Sequence, residues 1–119
     1  MAIRGLRGAT TVAENSAPAI LEATQELLRT LAAANNVEPQ DLASAIFTVT
    51  PDLTAAFPAR AAREMGWHHV PLMSAVEIES AEGLPRTIRV LIHVDSGSPG
   101  DVKHVYLRGA QVLRPELHR

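Results

Sequence analysis

Arg89 stands inside Thr-Ile-Arg-Val-Leu-Ile-His-Val at 87–94. Its apolar neighbours imply a strand largely sequestered from water. A guanidinium there needs a partner, because an unpaired buried ion is strongly destabilising. The partner is either a carboxylate of the protein, with Glu77 and Glu79 as candidates, or an anion or electron-rich oxygen held in a cleft. The planar fork of arginine suits a carboxylate or phosphate. Arg4 and Arg7 in IRGLRGATTV and Arg114 in VLRP share this apolar or small-residue setting. Arginine supplies every basic residue except Lys103. That ratio alone is equally well explained by coding bias; the placement inside strand-like stretches is not.

Glu77 lies between Val76 and Ile78. It is either paired with an arginine or placed to accept a ligand hydroxyl proton. Glu79 shares its strand parity and is equally suited to face solvent. Tyr106 follows His104-Val105; its hydroxyl suits a carboxylate, or it is an ordinary half-buried strand tyrosine. Arg60 and Arg63, three apart, share one helical face. They form either a solvated face or a positive rim that guides an anion.

Other chemistries are disfavoured. The chain has no cysteine, which excludes a disulfide scaffold, a thiolate nucleophile and a cysteine metal site. His68 and His69 are adjacent, so on a strand they point to opposite faces; with His93 and His104 they make no metal-ligand spacing. No metal site is expected. Ser74, Ser80, Ser96 and Ser98 lack a nucleophile elbow. Gly-Leu-Arg-Gly and Gly-Ser-Pro-Gly are not phosphate loops. An enzyme built from this chain needs only positioning and electrostatics.

Composition narrows the class further. A length of 119 residues suits one domain with a real core. The net charge of −2 argues against nucleic acid as a partner. The aromatic residues are only Phe47, Phe57, Trp67 and Tyr106, so the core is aliphatic and a base-stacking platform is not expected. No apolar run has membrane-spanning length, and MAIRGLRG lacks a signal-peptide apolar region. A cytoplasmic protein with no membrane partner is the default expectation.

The elements that must hold these residues follow from periodicity. Residues 2–8 read as a strand, and Gly8-Ala9-Thr10-Thr11 as a turn. Ser16 is the N-cap of an amphipathic helix with Pro18 in its first turn. Ile20, Leu21, Thr24, Leu27, Leu28, Leu31 and Ala32 form its apolar stripe, and Asn35-Asn36 its stop. Residues 37–41 suggest a helical turn. Residues 45–50 read as a strand closed by Pro51. Leu53 to Met65 suggests a short helix or 3₁₀ segment ending at Gly66. Two strands follow at 68–79 and 86–94, joined by the Glu82-Gly83-Leu84-Pro85 turn. Residues 96–100 read as a loop, His104–Leu107 as a strand, and Ala110–Leu113 as a short apolar element.

The order β-α-β-(short α)-β-β-β implies an α+β, or mixed α/β, fold: about five strands in a mixed sheet with one long amphipathic helix. One helix cannot cover both faces of such a sheet. Closed homo-oligomerisation through faces or edges is therefore expected.

Four segments, in order, resemble the monofunctional barrel-type chorismate mutases of bacteria: IRGLRGATTV, TPDLTAAFPARAAREMGW, IRV at 88–90 and HVYLRGAQVLRP. The resemblance covers nearly the whole chain as a single domain, 1–119. It implies a trimeric pseudo-α/β barrel with active sites at subunit interfaces. It also implies conversion of chorismate to prephenate, toward phenylalanine and tyrosine, by a [3,3] rearrangement without cofactor, metal or covalent intermediate.

The same resemblance assigns roles. Arg7 binds a substrate carboxylate, Arg89 reaches the ether oxygen of the breaking C–O bond, and Glu77 accepts the ring hydroxyl proton. Tyr106 is a further carboxylate contact. Phe57, Arg60 and Arg63 belong to the wall and entrance that a neighbouring subunit contributes. Met73 and Ser74 contact substrate, and Leu113 and Arg114 belong to the tail that closes over the site. Relatives carry cysteine where this chain has Ser74, and lysine where it has Arg60. Arg4, Arg29, Arg86, Arg108 and Arg119 receive no role. Two other readings fit the arginines: an enamine/imine deaminase of similar fold, or a non-catalytic trimeric module for small carboxylates.

Overall fold

The structure is a computed structural model and describes residues 3–95 and 101–118. Five strands form one mixed sheet: β1 (Ile3–Thr11), β2 (Leu42–Val49), β3 (Leu72–Val76), β4 (Thr87–Asp95) and β5 (Val105–Tyr106). Their spatial order is β3-β2-β4-β1-β5. The β1–β4 and β2–β4 pairs are antiparallel, and β1–β5 and β2–β3 are parallel. The element order and fold class agree with the sequence reading.

The long helix α1 (Ala17–Asn35) begins where Ser16 accepts the Ala19 amide at 3.2 Å and ends at Asn36, which turns left-handed at φ 52°. Its Ile20, Ala23, Thr24, Leu27, Leu28 and Leu31 are buried. They meet alternate residues of the central strands, including Leu6, Phe47, Val90 and Ile92. The short helix α2 (Pro58–Glu64) closes the rest of that layer. Each fully buried large aliphatic side chain contributes about 1.5–3 kcal/mol relative to exposure. The opposite sheet face carries Arg7, Thr48, Arg89, Leu91 and His93, none of them buried. Among the described residues it is covered beside β1, where Ala9, Tyr106 and Ala110 cluster with Leu113.

Several boundaries differ from the sequence expectations. Gly8 to Thr11 continue β1 rather than turn. A Cβ on Gly8 would lie 2.7 Å from Leu31 Cδ1 and 3.0 Å from Leu27 Cδ1; the glycine serves close strand–helix packing. Residues 53–57 are not helical. Phe57, preceding Pro58, stays extended at φ −79° and ψ 130°, so α2 starts at the proline. The third strand spans five residues instead of the whole of 68–79. Beyond it, the Glu77 amide still donates to Val49 O at 2.9 Å. The element expected at 110–113 is a 3₁₀ turn over Arg108–Leu113. The loop expected at 96–100 lies outside the described residues.

Candidate active site

One row across the sheet organises the chemistry. Tyr106 faces Ala9, Ala9 faces Arg89, and Arg89 faces Thr48, on β5, β1, β4 and β2 in turn. Strand spacing puts Tyr106 and Arg89 about 10 Å apart, with Ala9 on the strand between them. Arg7 stands two residues along β1 from Ala9, on the same face. A cleft of about 260 Å³ opens there, with Arg7, Thr48, Arg89 and Tyr106 in its walls.

Arg89 also borders a second cleft of about 500 Å³, lined by Glu77, Glu79 and the 82–85 turn. Its side chain is 39% exposed. The expectation of a largely sequestered arginine is therefore corrected. Ile88, Val90 and Ile92 are buried as expected, but strand alternation turns Arg89 toward the face that α1 does not cover. Of the carboxylates proposed as partners, Glu77 is the one that reaches it, with Oε2 3.2 Å from Arg89 Nε. The contact is an ion pair without a directed hydrogen bond, because the Nε–H is not aimed at that oxygen. Thr48 donates its hydroxyl to the same Glu77 oxygen. Glu79 is exposed.

The tail segment approaches from the β5 side. Leu113 packs on the Ala9–Tyr106–Ala110 cluster. The Arg114 guanidinium carbon sits 5.8 Å from the Tyr106 ring centroid, and Arg114 Nε pairs with Glu116 Oε1 at 2.6 Å. Tyr106 itself is buried, 3% exposed, rather than half-buried. His104 accepts the Arg7 amide on Nδ1 at 3.0 Å. Burial, and then the charges of Arg7 and Arg114, hold its imidazole below the usual histidine range.

Phe57, Arg60 and Ser74 line a third cleft, of about 520 Å³, that shares no wall residue with the other two. Ser74 faces Phe47 of the buried layer, so its side chain points away from the Arg89 face. Its Oγ is buried without a hydrogen-bond partner among the described residues. Arg60 pairs with Glu64 at 3.2 Å. Arg63 is exposed on α2, and Met73 is exposed on β3; neither lines these three clefts. A single chain thus groups Arg7, Glu77, Arg89, Tyr106, Leu113 and Arg114, and keeps Phe57, Arg60 and Ser74 apart from them.

Sequence reasoning placed neither Thr48, which lines the smaller Arg89 cleft, nor His104, which bonds the Arg7 backbone, beside these side chains. Thr48 is singled out only by its register opposite Arg89, and His104 only by the pairing of β5 with β1. Two arginines without an assigned role also have structural ones. Arg108 pairs with Glu26 at 3.1 Å, and Arg86 Nε donates to Val12 O at 3.0 Å. Among the described residues, no group of three or more His, Asp or Glu is placed to hold a metal ion. Nor, among the described residues, is any helix long and apolar enough to cross a membrane.

The family described as chorismate mutase type I matches residues 3–117. Chorismate mutase AroH of Thermus thermophilus is 53% identical over 117 residues, covering 97% of this chain and 96% of that protein. Chorismate mutase AroH of Bacillus subtilis is 43% identical over 119 residues, covering 98% and 94%. Among solved structures, chorismate mutase from Clostridium thermocellum matches with a TM-score of 0.88 at 50% identity, over 92% of this chain and 98% of that one.

Proposed function

The chain belongs to the type I chorismate mutase family, and from that premise we propose how its residues carry the reaction. Its function is the conversion of chorismate to prephenate, an isomerisation in aromatic amino acid biosynthesis. The observation that supports the residue roles best is the position of Arg89. It stands where two clefts meet, 3.2 Å from Glu77, with Arg7 and Tyr106 bordering the same hollow.

Chorismate is a dianion with an enolpyruvyl ether, and its ends bond only from a strained chair. Arg7 and Tyr106 hold a carboxylate and so fix the reactive geometry, which lowers the barrier through orientation. As the C–O bond breaks, negative charge grows on the ether oxygen. Arg89 meets that oxygen with a preorganised cation and binds the transition state more tightly than the substrate. Glu77 holds Arg89 through Oε2, leaving Oε1 to accept a hydrogen bond from the ring hydroxyl. No group need be transferred to the protein, which suits a cleft built from arginines, a tyrosine and a carboxylate.

The site is shared between copies of the chain in a homotrimer. Phe57, Arg60, Arg63, Met73 and Ser74 of one copy complete the wall around Arg7, Glu77, Arg89 and Tyr106 of the next, and Leu113 and Arg114 close over it. Two features support this arrangement. The Phe57 cleft stands apart from the Arg89 cleft within one chain. Phe57, Met73, Val76 and Ile78 are each more than half exposed, beside those two regions, which a monomer would leave in water. The protein is a single domain that works in the cytoplasm.

Loss of chorismate ultraviolet absorbance on adding protein tests the reading. Steady turnover to prephenate is expected. Binding without turnover identifies a carboxylate-binding module instead, and neither binding nor turnover removes the substrate assignment. Light scattering tests the trimer; a monomer at working concentration overturns the shared site.

A further inference from the structure

Parallel strands exchange evenly spaced, slanted hydrogen bonds. On β1–β5, Ala9 faces Tyr106, and the Leu107 amide donates to Ala9 O at 2.9 Å. One ladder step earlier, the Arg7 amide should meet the carbonyl of Lys103. That carbonyl is already engaged: it accepts from Asn35 Nδ2 at 2.8 Å, while the Lys103 amide donates to Asn35 Oδ1 at 2.7 Å. The end of α1 has captured both backbone groups of Lys103. The Arg7 amide donates instead to His104 Nδ1 at 3.0 Å. A side chain therefore supplies the ladder bond at the mouth of β5.

The substitution has consequences for the site. With only two residues, β5 is held by few bonds of its own. His104 precedes Tyr106 by two positions and bonds the backbone of Arg7, so one imidazole ties together the two groups assigned to the substrate carboxylate. An accepting Nδ1 carries no proton, which places the ring proton on Nε2. The charges facing the ring are Arg7 on β1 and Arg114 at the end of the 3₁₀ turn. From α1, Asn35 presents a neutral amide to the neighbouring Lys103.

We propose that His104 is a positioning residue for the substrate-carboxylate pocket: as a neutral imidazole accepting the Arg7 amide, it fixes Arg7 and Tyr106 relative to one another. The inference rests on the chorismate mutase reading above. Protonation turns Nδ1 into a donor facing a donor, so the pocket loosens in acid. Burial and the two arginines favour the neutral ring and keep that change on the acid side of the ordinary histidine range.

The test is steady-state turnover of chorismate by wild type, His104→Asn and His104→Leu across roughly pH 5–8, the range of histidine titration. Asparagine keeps an acceptor where Nδ1 stood; leucine removes it. At neutral pH, His104→Leu should raise KM about tenfold with kcat within about twofold, and His104→Asn should stay near wild type. Wild-type KM should climb at the acid end of that pH series, and the asparagine variant should not follow it. A wild-type KM in His104→Leu overturns the proposal. So does equal impairment of both variants, or the same acid rise in His104→Asn. If the leucine variant does not fold, the asparagine pH profile decides alone. Absence of turnover by wild type would overturn the reaction assignment itself, whereas normal wild-type turnover with unaltered variants removes only the role of His104.

Discussion

Glu77 and Arg89 meet at 3.2 Å although they belong to segments that are not sheet neighbours: Glu77 follows edge strand β3, and Arg89 lies on central strand β4. The carboxylate reaches across β2. Thr48, the β2 residue opposite Arg89, donates its hydroxyl to the Glu77 oxygen that faces the guanidinium. Arg89 is therefore oriented by a neighbour whose own position is hydrogen-bonded in place.

Replacing Arg89 with citrulline, a neutral isostere, should lower kcat at least about 10²–10³-fold, the usual effect of losing one transition-state donor. Arg89→Lys should also be damaging, because a point charge lacks the fork. Steady-state kinetics check this. A near-normal kcat with only KM raised assigns Arg89 to uniform substrate binding instead.

Thr48→Val keeps the β-branched shape of the strand residue and removes the hydroxyl held by Glu77. Activity, read as kcat/KM, should drop about fivefold, equivalent to about 1 kcal/mol for one hydrogen bond. An unchanged kcat/KM shows that Glu77 needs no support from β2.

Asp52 links the segment after β2 to the start of β4. Burial pushes its carboxyl up, but bonds from the Thr50 hydroxyl and the Arg86 amide, with the Arg86 charge, outweigh that and hold it below the usual range. A depressed folded pKa contributes stability above the unfolded value, about 3.9, and that contribution is lost as pH falls through the folded value. Asp52→Asn should melt below wild type at neutral pH, by under about 1 kcal/mol because the site is solvent-screened. The gap should narrow below about pH 4. Melting temperatures against pH provide the comparison; a gap constant across that range contradicts the linkage.

Gly8→Ala places a methyl 3.2 Å from the Val105 carbonyl as well as against Leu27 and Leu31. The leucine ends can shift; the backbone oxygen cannot do so without disturbing β5. Destabilisation of about 1–3 kcal/mol is expected, as for other overpacked cores. Urea unfolding measures it, and a neutral result means that β5 moves freely.

The legible parts of the chain were those set by local chemistry. Ser16, Pro18 and Asn36 marked the ends of α1 because caps act over one turn. Arg89 stood out because charge in an apolar strand is rare whatever it pairs with, and the Glu77 alternative raised for it is the contact that formed. Arg7, Tyr106 and Arg114 stood out by residue type and setting, and segment resemblance gave them the roles proposed above. What the sequence could not reveal depends on register. Thr48 resembles any strand threonine until β2 is laid antiparallel to β4. His104 resembles any strand-entry histidine until Asn35 takes the carbonyl beside it. Gly8 read as a turn because glycine serves both turns and close packing, and only the position of Leu31 distinguishes them.

The strand order also bears on how the protein is made. β1 is synthesised early, yet it ends between β4 and β5, both formed from residues beyond 86. Arg7 thus leaves the ribosome long before either strand that will flank it. Until then β1 has no partner in the sheet, and α1 has only part of the surface it is built to cover. Contacts so distant in sequence close slowly, because the loop entropy must be overcome before the pairing stabilises anything. The nascent chain must carry an open strand edge until the residues beyond 86 emerge, which exposes it to chaperone capture or edge-to-edge misassembly.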